Sequence, residues 1–168
     1  GDVFGWKSIS LGCSIISKRN EYFTKKERIR VKILMKIDKI KPVFSDDRGE
    51  IYDILSDSSI RHITIFTINK DSVRGKHYHK EQKQWIFVLK GQIKVKTKNL
   101  LEKNSKIEEV ILNEKDMIFL PQYFYREIIG ITNSECLFIT SKFRKNSLHQ
   151  EDTFSVNDIE SFELTQNS

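Results

Sequence analysis

Along most of the chain, apolar residues recur at every second position in short runs separated by clusters of turn residues. Side chains at i and i+2 of an extended chain share one face, so this period predicts strands rather than helices. Residues 62–68 (HITIFTI) are β-branched and aromatic, and residues 92–98 (QIKVKTK) alternate with one solvated face. Val31, Ile33, Met35 and Ile37 alternate in the same way, whereas residues 85–89 (WIFVL) are apolar throughout, as expected of a strand covered on both faces. Further strands are expected at residues 51–55, 109–112, 117–120, 127–131 and 136–140. Asp46-Asp47-Arg48-Gly49, Asp57-Ser58-Ser59, Pro121-Gln122 and similar clusters supply the turns, and the polar tract 99–107 reads as a long hairpin loop. Residues 151–162 fit a short C-terminal helix or a docking tail. Many short strands at regular spacing, without a long amphipathic helix or a repeat, predict an all-β sandwich or barrel.

Composition narrows this picture. The 168 residues are 38% hydrophobic and 31% charged, which suits one folded domain rather than a disordered chain. No apolar run approaches the roughly 18 residues of a membrane span, and the first residues lack a secretory pattern. Cys13 and Cys136 follow no metal or redox spacing and read as thiols in a reducing cytoplasm. The net charge of +6 is unevenly placed: residues 1–41 hold eleven Lys/Arg against four Asp/Glu, and the remainder eighteen against nineteen. A near-neutral main domain without a basic, aromatic-studded face does not predict nucleic-acid binding. Met35 is the first methionine, so residues 1–34 are expected to be an extension, residues 35–150 the main domain and residues 151–168 a tail.

The chemistry concentrates at residues 74–85, where His77 and His79 stand one residue apart. If extended, they project into one cavity, where imidazoles can serve as acid, base, metal ligand or phosphate partner. Zinc or iron usually takes three or four protein ligands, and Glu81 is the candidate third. His62 opens an apolar strand and reads as a core or edge residue, and His149 as solvated. Lys94, Lys96 and Lys98 read as the wet, protective face of an edge strand, and Trp85, Phe87 and Phe119 as barrel filling.

Gly75, His77, His79, Gln84 and Gly91 match the first motif of the cupin jelly-roll barrels, so the chain resembles that superfamily. The second motif keeps Pro121, with Tyr125 and Arg126 where its histidine would stand. Within cupins, Asp46-Asp47-Arg48-Gly49 and Arg74-Gly75-Lys76-His77 resemble dTDP-4-dehydrorhamnose 3,5-epimerases. The longer pattern Arg74-Gly75-x-His77-x-His79-Lys80, followed by Gln84, is similar to nucleotide-sugar 3,4-ketoisomerases. Tyr78 replaces the Ala common between their histidines, and His62-Ile63-Thr64 replaces a Tyr after Arg61. The C-terminal cupin of capsule-polysaccharide reductase/epimerases is a more distant likeness. The resemblance covers residues 35–162.

It implies a cytoplasmic isomerase shifting a ketone between C3 and C4 of a nucleotide-linked 4-keto-6-deoxyhexose, with His77 and His79 as acid–base groups and no metal or other cofactor. Paired guanidinium hydrogen bonds suit a diphosphate, which nominates Arg48, Arg61 and Arg74. Gln84, Tyr123, Tyr125 and Arg126 complete the expected substrate contacts. The alternatives are 3- or 3,5-epimerisation, with Tyr123 or Tyr125 as the acid on the far sugar face, a non-catalytic sugar-nucleotide-binding cupin, or a metal-dependent one. A homodimer is expected, with residues 31–37 pairing across subunits, and neither nucleic acid nor membrane as partner.

Overall fold

The computed structural model describes residues 35–57, 59–143 and 152–164. The chain divides into two units, 1–34 and 35–168. The first unit, with Cys13 and most of the alternating 31–37 stretch, lies outside the described residues, as does His149.

Twelve strands form: β1 Ile37–Lys39, β2 Phe44–Asp46, β3 Gly49–Ile51, β4 His62–Ile68, β5 Val73–Tyr78, β6 Gln84–Lys90, β7 Ile93–Asn99, β8 Glu108–Leu112, β9 Asp116–Leu120, β10 Phe124–Gly130, β11 Ser134–Thr140 and β12 Phe154–Ser155. One five-stranded sheet runs β1-β9-β6-β11-β4, the other β12-β5-β10-β7-β8, and β2-β3 is a separate hairpin. Every pairing is antiparallel. From β5 to β6 and from β8 through β11, the chain passes repeatedly from one sheet to the other. That is jelly-roll winding, and the fold is an all-β cupin jelly roll.

Strand phase decides what lies between the sheets. Ile86 and Val88 of β6, Ile118 and Leu120 of β9, Ile93 and Val95 of β7, and Ile128 of β10 form the main core with Ile68, Leu112 and Cys136. Each such side chain contributes about 1.5–3 kcal/mol by leaving water. Trp85 and Phe87 have the opposite phase. Rather than filling the barrel, they join Met117 and Ile139 in a second cluster, against which Ile40, Ile54, Leu55 and Ile60 pack. This explains why the strand expected at 51–55 ends at Ile51: Ile54 and Leu55 leave the ladder to pack against the indole and its neighbours. Phe119 tilts against Trp85 with ring centroids 5.0 Å apart and stays partly exposed.

Two other expectations change. β7 lies inside its sheet, between β10 and β8, so its lysines protect no edge. Lys94 and Lys96 instead meet Glu109 on β8 at 3.1 and 3.3 Å, and Lys98 donates to the carbonyls of Ile159 and Phe162. The C-terminal residues form no helix within the described range. They dock as a tail, with β12 against β5 and Val156 buried beside Tyr78 and Tyr125. Among the described residues no helix is long and apolar enough to cross a membrane.

Candidate functional site

The site starts from an irregularity in β5. Arg126 of β10 pairs with His77, and the next residue, Glu127, pairs with Gly75, so Lys76 has no partner. Such a bulge needs left-handed backbone, and φ is +90° at Gly75 and +58° at Lys76. Gly75 is also required by space, since a Cβ there would stand 2.7 Å from the Arg126 carbonyl oxygen. The extra residue reverses the alternation of the strand. Arg74 before it and His77 and His79 after it all reach one cavity, while Tyr78 turns outward into the cluster with Tyr125 and Val156.

The cavity, of about 490 Å³, opens between the two sheets. One sheet supplies His62, Thr64, Gln84, Phe138 and Thr140, the other Arg74, His77, Arg126 and Ile128, and His79 enters from just past the end of β5. The two histidine rings lie 4.9 Å apart at 66°. The His79 ring also makes a short hydrogen bond from Nδ1 to the backbone carbonyl of Asp152.

Arg126 is fully buried, 1% exposed, and no carboxylate among the described residues forms an ion pair with it. Its Nη1 donates to Gln84 Oε1 at 2.6 Å and its Nη2 to the Phe124 carbonyl at 3.3 Å, leaving Nε without a partner. Burial lowers its pKa to about 9, against a longer-range pull from Asp152, so it remains a cation at neutral pH. It acts on both imidazoles. Burial and then the Arg126 charge lower His77 to about 4, opposed by a hydrogen bond to the Gly75 backbone. The same two causes bring His79 to about 3. The cavity therefore holds two neutral imidazoles beside a buried positive charge that forms no ion pair among the described residues.

The other nominated residues lie elsewhere. Arg48 is at the tip of the β2-β3 hairpin, exposed and paired with Asp46. Arg61 is exposed, with its backbone N–H on the Thr140 carbonyl. Tyr125 alternates with Arg126 and so faces away from the cavity, where its hydroxyl donates to Glu127 at 2.8 Å and burial raises its pKa. Tyr123 packs near Tyr78, with ring centroids 6.3 Å apart. Glu81 pairs with Lys142, and no three His, Cys, Asp or Glu side chains among the described residues form a metal-type cluster.

Several lining residues carried no obvious sequence signal. His62 and Thr64 share the inward phase of Phe66 and Ile68, which was the available clue. His62 meets the exposed Phe143 edge-on at the cavity mouth, beside Lys142. Nothing in the local pattern marks Asp152, which lies 73 residues from His79.

The polysaccharide biosynthesis C-terminal domain model matches residues 44–154, more than half of the chain. The chain belongs to that family. Solved structures agree on the fold. A 3,4-ketoisomerase from Helicobacter canadensis is 22% identical, with a TM-score of 0.59 over 75% of this chain and 92% of that one. A 3,4-ketoisomerase variant from Thermoanaerobacterium thermosaccharolyticum, in complex with TDP-4-keto-6-deoxyglucose, is 20% identical, with a TM-score of 0.57 over 71% and 86%. A 3,5-epimerase from Legionella pneumophila, in complex with dTDP-4-keto-L-rhamnose, is 19% identical, with a TM-score of 0.62 over 75% and 74%. No curated protein sequence matches the chain. The range matched by the family model, 44–154, contains the histidine pair of this member of the family.

Proposed function

We propose that this protein is a sugar-nucleotide isomerase that moves the ketone of a dTDP-linked 4-keto-6-deoxyhexose from C4 to C3. The observation that carries this reading is the side-by-side neutral pair His77 and His79 next to the buried Arg126 guanidinium. An imidazole lone pair takes the proton from C3, the electron pair becomes the C3–C4 double bond, and O4 is protonated to give an enediol. O3–H then loses its proton as the C3 ketone forms, and C4 takes up a proton. One C–H and one O–H have exchanged places, so electrons balance without an outside oxidant or reductant, and no redox cofactor is called for. Paired imidazoles can serve both the carbon and the oxygen transfers. The cationic Arg126 favours the negative charge that develops on the sugar oxygens, and that charge in turn raises the imidazoles towards useful basicity.

The neighbours' TDP- and dTDP-linked keto-sugar ligands support the substrate class. Arg74, and Lys142 with its partner Glu81, are the cations at the cavity placed to meet a diphosphate. Epimerisation, the second reading, wants an acid on the far sugar face, and among the described residues no tyrosine lines the cavity. We place the enzyme in the cytoplasm as a homodimer. Ile63 and Ile65 on the outer face of edge strand β4, and Phe44 and Ile51 on the β2-β3 hairpin, offer exposed apolar surface for self-association.

Incubation with dTDP-4-keto-6-deoxyglucose in deuterated buffer tests the proposal. A 3-keto product is expected. Deuterium at C3 or C5 with the ketone still at C4 would establish the epimerase, and tight binding without turnover a non-catalytic cupin.

A further inference from the structure

His79, one residue past the end of β5, is held by more than that strand. The Asp152 carboxylate accepts hydrogen bonds from three consecutive backbone amides after His79: Lys80 at 2.9 Å, Glu81 at 3.1 and 3.2 Å, and Gln82 at 2.8 Å. Successive N–H groups turned to one point make a nest for an anion, and here the chain supplies its own. Downstream of Asp152 the tail is fixed again. Phe154 and Ser155 pair with Tyr78 and His77, Val156 N–H donates to the Lys76 carbonyl at 2.8 Å, and the Phe154 ring stacks on Tyr78. The Asp152 peptide carbonyl is thus pinned from both sides, directly against His79 Nδ1.

A carbonyl oxygen can only accept a hydrogen bond. A neutral imidazole has a single N–H, and the bond made by one ring nitrogen sets the state of the other. We infer that Asp152 is a positioning residue whose carboxylate latch holds its own carbonyl on His79, fixing the Nδ1–H tautomer and leaving the Nε2 lone pair as a proton acceptor in the cavity. His79 then begins the reaction as a base and cannot begin it as a neutral donor through Nε2. The kinetic part of this inference rests on the proposed isomerisation, and the tautomer does not.

The test uses the full chain with ¹⁵N-labelled histidine. In the wild type at pH 7, long-range ¹H–¹⁵N correlations of His79 should show one tautomer, protonated at Nδ1; a signal protonated at Nε2, or an even mixture, would overturn the inference whatever the variants do. In Asp152→Ala, the carbonyl loses its anchor. The Nε2–H form should then appear and kcat should fall about tenfold to hundredfold with KM within about twofold, the scale on which partners of a functional imidazole act. Asp152→Asn keeps one acceptor oxygen for the amides and should fall between the two. A drop in kcat with an unchanged tautomer would reduce Asp152 to a structural tie, and an unchanged kcat with a changed tautomer would remove it from the reaction. If the wild type turns over no keto sugar, the functional reading fails while the tautomer still decides what Asp152 does.

Discussion

The space between the two sheets has two unlike ends built from the same strands. Along β4 the inward residues run His62, Thr64, Phe66, Ile68; along β6, Gln84, Ile86, Val88; along β10, Arg126, Ile128; along β7, Thr97, Val95, Ile93. The registers bring the polar members together, with His62 and Gln84 both opposite Thr140 and with Arg126 between His77 and Thr97. One end is a closed apolar core, and the other is a cavity holding a cation and two imidazoles. Stability concentrates at the first end, and the second bears a cost, because a buried guanidinium with no ion-pair partner among the described residues is poorly compensated for its lost water.

The sharpest way to break that contrast is Arg126→Met. Turnover should fall about 10²- to 10³-fold, as when a preorganised charge is withdrawn from a developing oxyanion. Resistance to urea should nonetheless hold or rise, by up to about 4 kcal/mol, because a hydrophobe replaces a buried charge. Paired activity and denaturation measurements check this, and a destabilised variant would show that the guanidinium is structural. Ile118→Ala makes the opposite cut. It should cost about 2–5 kcal/mol of stability through the cavity it leaves, with kcat per folded molecule preserved.

Acid gives a smaller and graded effect. Unfolded imidazoles titrate near 6.5, and the folded ones near 4 for His77 and 3 for His79. Between those values the unfolded chain binds more protons, so the contribution is intact above about pH 6.5 and is lost as pH falls towards the folded values. The slope is about 1.4 kcal/mol per pH unit for each imidazole. Urea titrations across this range should show a flatter profile for His77→Gln/His79→Gln than for the wild type. Least of all, Lys94→Ala should move stability by under about 1 kcal/mol and leave turnover alone, because its partner Glu109 is solvent-exposed.

Much of this arrangement was legible in the sequence, because a period of two is a local signal. His62–Ile68 was expected as a strand and forms one with those ends, and residues 85–89 lie inside β6. The pairing of His77 with His79 followed from the same period. What period alone does not give is absolute phase. Trp85 and Ile86 are equally apolar, and only the register with β9 and β11 sends one outward and the other in. The same ambiguity put Tyr125 on the candidate list beside Arg126, although neighbours on a strand cannot share a face. Arg74 is the reverse case: its distance from His77 breaks the period, and only the unpaired Lys76 restores it to the cavity. Asp152 depends on a contact across most of the domain, which no local pattern encodes.

The two residues of β12 have a further consequence. They occupy the outer flank of β5, so the strand that carries His77 is an inner strand only because the tail lies beside it. A chain lacking this segment would present the bare amides and carbonyls of that strand to any other extended peptide, and its first failure would be self-association and precipitation rather than slow turnover.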